Sequence, residues 1–293
     1  MSFKKNYQPI VPRAERELPV RGANYNVYEW GDPDAPLLVY LHGWADSGST
    51  FQFVVDELTA EWHVVAPDWR GFGRSSCECT SYWFPDYIAD LHALVEIYSP
   101  GDPVRLVGHS MGANVACLYA GTMPERVRAL VNIEGFGLSD SDPADAPQRY
   151  RAWLEAAATA TSFSEYADLG ALAFRIKRRH PEMTESRAAF VAREWATVES
   201  DGVVRLRADP RHKLPNPVLY RRAEAQACWR AISAETLLVT GSGSAFAAEV
   251  DNAAALSFPG CRTVGIEGAG HMIHFEAPSA LAAVIEDFLP QPL

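Results

Sequence analysis

The sequence lacks the features that would place this chain in a membrane or on a nucleic acid. No run among its 293 residues approaches the roughly 20 consecutive apolar residues that a membrane-spanning helix needs. Basic residues are in deficit, with 26 Lys and Arg against 37 Asp and Glu, so the formal net charge is −11. Because an acidic surface repels polyanions, we expect neither a nucleic acid nor an anionic membrane as a partner.

Cysteine is also scarce, and its spacing indicates no structural framework. The five cysteines are odd in number, and Cys77-Glu78-Cys79 is too closely spaced for a zinc ribbon and lacks a second pair. The simplest interpretation is that all five are reduced in an intracellular protein. No apolar signal segment follows the first residues, so we predict a cytoplasmic location.

Strand-like and helix-like segments alternate along much of the chain. A continuous apolar run, typical of a strand covered on both faces, occurs at residues 37–41, and mostly apolar strand-like runs occur at 63–66, 104–107, 129–133, 237–240 and 263–266. An edge hairpin is predicted at 17–30, and apolar residues at helical spacing occupy 86–98 and the segment from 112 to about 123. This alternation predicts an α/β fold with a mostly parallel sheet and helices on both faces.

The alternation stops in the second half of the chain. Residues 137–230 contain no strand-like run, and helices are predicted there at 146–158, 163–179 and 185–198. We interpret this segment as a helical cap inserted into a core formed by residues 1–136 and 231–293. Its tryptophans, Trp153, Trp195 and Trp229, are predicted to form local cores rather than to line a pocket. The cap carries 15 Lys and Arg against 13 Asp and Glu, which indicates either solvated helix faces or a lid that attracts acidic substrates.

The central motif is Val107-Gly108-His109-Ser110-Met111-Gly112, between a strand-like run and a helix rich in small residues. A serine between glycines at a strand-to-helix junction is typical of a nucleophile elbow. Ser110 is therefore the candidate nucleophile, and an ordinary helix N-cap serine is the alternative. The backbone N–H groups of Met111, at the helix start, and of Trp44, after the 37–41 strand, are the candidate oxyanion-hole donors.

The candidate base is His271, on the glycine-rich loop that follows the last predicted strand. Loops at the carboxyl ends of parallel strands converge on one crevice, so His271 is expected on the same side of the sheet as Ser110. His274 is expected to pack or form a hydrogen bond beneath the site. His109 is expected to face away from it, because it is adjacent to the serine.

Taken with His42-Gly43-Trp44, residues 68–75 and Phe275-Glu276-Ala277-Pro278, these motifs make the chain resemble an α/β-hydrolase with a serine nucleophile and a helical cap. The resemblance implies a mostly parallel eight-stranded sheet and a serine–acid–histidine triad, with no cofactor and no metal. The family usually places its acid three residues after a glycine that follows the penultimate strand. Here that position is Ser244, which cannot carry a charge opposite an imidazolium.

We therefore expect Glu134 to be the acid. Some relatives, the haloalkane dehalogenases among them, place it after the sixth strand, which here is the run at 129–133. The order Ser110, Glu134, His271 is the order of this fold. Glu249 and Asp251, in the loop after the 237–240 strand, are the alternatives. Dehalogenase or epoxide hydrolase chemistry is not expected, because both need an aspartate where Ser110 stands.

The sequence thus predicts a serine hydrolase that cleaves a carboxylic ester or a similar small acyl compound through an acyl-enzyme. The same triad serves C–C bond, amide or thioester cleavage, and the choice depends on a pocket built mostly by the cap. The scaffold is also compatible with a non-catalytic ligand-binding member of the family. A small molecule is the expected partner, and the sequence does not indicate an oligomeric state.

Overall fold

A computed structural model of the chain describes residues 7–159, 161–250, 253 and 257–289. Its strands are β1 (Arg13–Val20), β2 (Ala23–Trp30), β3 (Leu37–Leu41), β4 (His63–Pro67), β5 (Ser76–Cys77), β6 (Val104–His109), β7 (Val127–Ile133), β8 (Ala196–Val198), β9 (Val204–Leu206), β10 (Glu235–Gly241) and β11 (Arg262–Ile266). Its α-helices include α1 (Gln52–Val55), α2 (Phe84–Tyr98), α3 (Met111–Thr122), α4 (Ala146–Ala157), α5 (Leu169–Arg179), α6 (Glu185–Trp195), α7 (Arg222–Arg230), α8 (Ile273–Glu276) and α9 (Pro278–Phe288). None of the helices in these ranges is long and apolar enough to span a membrane.

The main sheet has nine strands: eight follow the order β1-β2-β4-β3-β6-β7-β10-β11, and the two-residue strand β5 pairs with β2 beside this path. Strand β2 runs antiparallel to both β1 and β4, whereas the pairs from β4 to β11 are parallel. The predicted fold, a mostly parallel eight-stranded sheet, is confirmed. The parallel arrangement brings the carboxyl ends of β3, β6, β7 and β10 to one edge, where the candidate site lies.

Helices cover both faces of this sheet, which explains the continuous apolar strands. In β3, Val39 and Leu41 pack on one face with α2 and α3, whereas Leu38 and Tyr40 pack on the other face with α1 and α9. Burying one such side chain contributes about 1.5–3 kcal/mol, so burial on both faces holds β3 firmly in the core.

The insertion also contains strands, which the sequence analysis did not predict. Helix α6 ends at Trp195 rather than at residue 198, and the next residues form an antiparallel hairpin of β8 and β9. Three-residue strands are too short to produce a recognisable alternation. Strand β8 lies inside the helix predicted at 185–198, and β9 lies outside the predicted helices. Helix α5 starts later than predicted, because the Asp168 side chain accepts a hydrogen bond from the N–H of Ala171 and caps the helix there.

The tryptophans of the insertion contact the core in different ways. Trp229, on α7, is buried in the cluster formed by the sheet, α2 and α3. Trp195 is partly buried against core residues at the candidate site, and Trp153 is partly buried near Trp83. Helix α7 belongs to the predicted insertion by its position in the chain, yet it packs directly on the core. The domain boundaries at residues 137 and 230 stay a prediction.

The cysteines differ from the expectation in one place. Cys77 and Cys79 form a disulfide, so the prediction that all five cysteines are reduced is wrong for this pair. The bend of the chain after β5 brings their Cα atoms to 5.2 Å, within the range that a disulfide spans. Cys117, Cys228 and Cys261 are free.

Candidate active site

Ser110 lies at the predicted strand-to-helix junction, between β6 and α3. Its backbone has φ 52° and ψ −111°, a conformation that residues with a side chain seldom adopt. The flanking glycines are required, because a Cβ on Gly108 would lie 2.5 Å from Ala113 Cα and one on Gly112 would lie 2.1 Å from the Leu41 carbonyl oxygen. The Ser110 N–H donates to the Ile133 carbonyl at 2.8 Å and fixes the turn against β7.

Glu134 follows β7 directly, and the structure brings it together with His271. Its Oε2 lies 2.6 Å from His271 Nδ1, and its Oε1 accepts a hydrogen bond of 2.9 Å from the N–H of Gly241. The carboxylate is fully buried. A backbone φ of 56° at Glu134 turns the chain away from the strand at this point.

Ser244, at the family's usual acid position, donates its hydroxyl to Glu134 Oε2 at 2.6 Å. The usual position therefore supports the carboxylate rather than supplying it, a role that the sequence reasoning missed. The signal in the sequence was that a residue with a hydroxyl donor stands where the family usually has its carboxylate. Glu249 is exposed, and Asp251 lies outside the described residues.

His271 has a partly exposed side chain, at 36% of its full accessibility. Its ring lies 4.8 Å from the ring of His109 and 5.3 Å from that of Phe246, measured between centroids. The expectation that His109 faces away from the site is wrong, because the loop carrying His271 folds over the end of β6. His109 Nε2–H donates to the His271 carbonyl at 2.9 Å, and burial lowers the pKa of His109 well below its usual value, so its ring is neutral.

His274 lies beneath the site, as predicted, and is fully buried. Its Nε2 lies 3.0 Å from Asp46 Oδ2, while Asp46 Oδ1 accepts hydrogen bonds from Thr50 and from the indole of Trp195. Burial alone would raise the pKa of Asp46, but the hydrogen bond and charge of His274 outweigh it and lower the pKa to about 2. Asp46 is therefore an anion held between the core and the insertion.

The loop after β3 lies beside Ser110. A Cβ added to Gly43 would lie 2.8 Å from His109 Nδ1 and 3.3 Å from Ser110 Cβ, so a side chain there would require His109 to shift. His42 holds this loop, because its Nδ1–H donates to the Gly43 carbonyl at 2.7 Å and its Nε2 accepts from the N–H of Trp69 at 2.9 Å.

The backbone N–H groups of Trp44 and Met111 are the predicted oxyanion donors. Among the hydrogen bonds of the described residues, none uses the backbone N–H of Trp44 or Met111. Met111 is the first residue of α3, whose initial N–H groups have no partner within the helix. The side chain of Trp44 is 48% exposed, with its ring near Phe163 of the insertion.

One group of described residues has donor atoms close enough to hold a metal ion, namely Asp46, His109 and His274, with one atom of each within 4.8 Å of the others. Both carboxylate oxygens of Asp46 already accept hydrogen bonds, and all three residues are buried. The Asp46 carboxylate is therefore satisfied by hydrogen bonds within the protein, whereas His109 Nδ1 and His274 Nδ1 are buried without a hydrogen-bond partner among the described residues.

A cavity of about 580 Å³ lies between the insertion and the core, beside Thr80, Asp209 and Leu214. None of the candidate site residues lines this cavity.

Comparison with known proteins identifies the family to which this fold belongs. The α/β-hydrolase fold family matches residues 36–278. The chain belongs to this family. This α/β-hydrolase is 26% identical over 304 residues to a serine hydrolase-like protein of Danio rerio, with 99% of this chain and 93% of that protein covered.

Two further similarities concern named hydrolases. A 3-hydroxybutyrate-oligomer hydrolase of Cupriavidus necator is 32% identical over 233 residues, with 74% of this chain and 76% of that protein covered. The solved thioesterase domain from the curacin biosynthetic pathway superposes with a TM-score of 0.85 at 27% identity, with 94% and 99% of the two chains covered. Family and relatives together support a hydrolase activity.

Proposed function

We propose that this α/β-hydrolase cleaves a carboxylic ester or a similar small acyl compound through a covalent acyl-enzyme. The proposal is carried by the 2.6 Å contact between Glu134 and His271 Nδ1, at the edge of the sheet where the elbow presents Ser110. A buried carboxylate on one ring nitrogen leaves the other nitrogen free to accept a proton.

In the proposed first half-reaction, Ser110 Oγ attacks the substrate carbonyl and its proton passes to His271 Nε2. Glu134 keeps Nδ1 protonated and stabilises the imidazolium that forms. The N–H groups of Trp44 and Met111 donate to the oxyanion, and removing one such donor typically lowers the rate by about 10²–10³. The C–O bond then breaks, and the leaving alcohol takes the proton from His271.

In the second half-reaction, water attacks the acyl-enzyme and gives its proton to His271. The bond to Ser110 breaks, the carboxylic acid leaves, and Ser110 recovers its proton. Every proton is carried by His271, so no cofactor is needed.

A thioester is the second candidate substrate, since the compared thioesterase domain matches over nearly its whole length. The same serine attack applies, and the leaving group is a thiol instead of an alcohol. Rates on matched oxygen esters and N-acetylcysteamine thioesters of one acyl chain would rank the two classes.

The proposal is tested with p-nitrophenyl esters of graded chain length. We expect Ser110→Ala to reduce hydrolysis by up to about 10⁶, as removal of such a nucleophile does in a protease, and Glu134→Gln to reduce kcat by about 10²–10⁴. Full activity in Ser110→Ala would contradict the mechanism. Full activity in Glu134→Gln with loss in Asp251→Asn would assign the acid to Asp251 and keep the reaction class.

Labelling by a fluorophosphonate separates an enzyme from a ligand-binding member of the family. An activated serine reacts at Ser110, and Ser110→Ala should remain unlabelled. A wild-type protein that binds esters but neither hydrolyses them nor reacts would support the non-catalytic alternative.

A further inference from the structure

A side chain of the insertion contacts the segment 270–276, which contains His271, through the buried carboxylate of Glu276 on α8. His180, directly after α5, places its Nδ1 2.8 Å from Oε1 of Glu276. The other oxygen, Oε2, accepts the N–H of Gly270 at 2.5 Å, and Gly270 immediately precedes His271. The Glu276 side chain is only 5% exposed, so water cannot readily replace either donor.

A second chain of hydrogen bonds connects the insertion to the same segment at His274. Trp195, the last residue of α6, donates its indole N–H to Asp46 Oδ1 at 2.9 Å. Asp46 Oδ2 holds His274, three residues after His271, at 3.0 Å. Both side chains of this inner pair are buried, at 0% and 1% exposure.

Phe275 fills the space between these two chains of hydrogen bonds. Its ring lies 5.9 Å from that of His180 and 5.8 Å from that of Trp195, and it is fully buried in the cluster formed by α5 and α6. The segment from 270 to 276 is thus linked to the insertion directly at Glu276 and, through Asp46, at His274. A displacement of α5 or α6 must break these contacts or move the segment with them.

We propose that the insertion positions His271, with His180 and Trp195 as positioning residues that act through Glu276 and Asp46. This inference rests on the proposed function, since it assigns His271 a task that needs accurate placement. Hydrogen bonds to ionised acceptors are strong, and a buried carboxylate that loses one is destabilised. A misplacement of about 1 Å in an active site can reduce the rate about 10²-fold.

Three substitutions separate positioning from simple packing. Trp195→Phe keeps an aromatic ring and removes only the N–H donor, and His180→Leu removes the donor to Glu276. His180→Asn keeps a donor, because the asparagine amide nitrogen takes nearly the place of imidazole Nδ1. The control is Arg205→Leu, which breaks ion pairs with Glu165 and Asp201 inside the insertion and touches neither chain of hydrogen bonds.

We expect Trp195→Phe and His180→Leu each to lower kcat for a p-nitrophenyl ester about tenfold, with KM changed less than about twofold. Fluorophosphonate labelling of Ser110 should slow by the same factor. His180→Asn should recover most of the lost kcat, and Arg205→Leu should behave like the wild type. Losses confined to KM, or losses in kcat no larger than in Arg205→Leu, would overturn the proposal.

A second measurement does not depend on turnover. The proton on His271 Nδ1, bonded to Glu134, should give a downfield NMR resonance that disappears in Glu134→Gln. Positioning predicts that this resonance shifts in Trp195→Phe and His180→Leu but not in Arg205→Leu, and an unchanged resonance would overturn it. A shifted resonance in a protein without hydrolysis or labelling would contradict the proposed function and not the positioning.

Discussion

Backbone strain marks the candidate site residue by residue. Four non-glycine residues in the described part of the chain have positive φ, and three of them, Ala45, Ser110 and Glu134, lie at this site. Such conformations cost on the order of 1–3 kcal/mol each and persist only where surrounding structure holds them. The fourth, Arg21, lies in the hairpin turn between β1 and β2. Strain thus coincides with the proposed nucleophile, the proposed acid and the turn after Trp44.

We expect that an aspartate at position 244, where the family usually has its acid, can partly replace Glu134. Ser244 Oγ lies 2.6 Å from the Glu134 oxygen that binds His271, so an aspartate at 244 could reach the imidazole. We expect Glu134→Asn, whose side chain tolerates positive φ, to lower kcat by about 10²–10⁴, and Glu134→Asn with Ser244→Asp to regain at least about tenfold. Steady-state kinetics on one p-nitrophenyl ester would measure both.

Ser244→Asp alone is the control, because it places two carboxylates side by side and should not raise kcat. If the double variant is no faster than Glu134→Asn, the residue at 244 does not reach His271.

At the scale of elements, glycines set how closely α3 approaches its neighbours. Gly112 lets the helix start against the end of β3, and Gly121 lets its last turn touch α7. A Cβ at Gly121 would lie 2.0 Å from the carbonyl oxygen of Cys228. Because that atom belongs to the backbone, a side chain there would have to push the two helices apart.

We therefore expect Gly121→Ala to lower the free energy of unfolding by about 1–3 kcal/mol, the usual range for overpacking. Gly265→Ala is the matched control, since no atom lies within 4 Å of its added Cβ, and it should change stability by less than about 1 kcal/mol. Urea unfolding of both variants would compare them. Equal urea midpoints for Gly121→Ala and Gly265→Ala would show that α7 can move away from α3 without loss of stability.

For the whole molecule, buried histidines contribute to the response to mild acid. Burial lowers the pKa of His42 and of His109, and it lowers the pKa of His212, which stacks between Phe72 and Tyr82, to about 4. The unfolded chain takes up these protons near pH 6.5, while the folded chain does not. The stability that these neutral histidines contribute is therefore fully present above about pH 6.5 and is lost as the pH falls toward 4. Asp46, with its pKa lowered to about 2, contributes to acid sensitivity only below this window.

We predict that His212→Gln loses less unfolding free energy between pH 7 and pH 5 than the wild type, by about 1 kcal/mol after allowing for partial exposure of the ring. Urea unfolding at both pH values measures this difference, and groups that titrate in both proteins cancel. An identical pH dependence in His212→Gln and the wild type would show that folding does not lower the pKa of His212.

Much of the core was predictable because its strands are buried on both faces. The apolar runs at 37–41 and 129–133 correspond to β3 and β7, for which packing leaves no other assignment. The hairpin of β8 and β9 was missed, because three residues carry no periodicity. The direction of His109 was missed, because it depends on a loop 162 residues away.

The sequence by itself determined the fold and the candidate chemistry, because strand burial and the elbow's need for glycine are local properties of the chain. It also limited the acid to a few carboxylates at strand ends. Only the tertiary structure decided that Glu134 reaches His271, 137 residues later, with Ser244 and Gly241 as its donors. It alone placed His180 and Trp195 against Glu276 and Asp46. The physical reason is that hydrogen bonds act over about 3 Å, a distance that spacing along the chain does not specify.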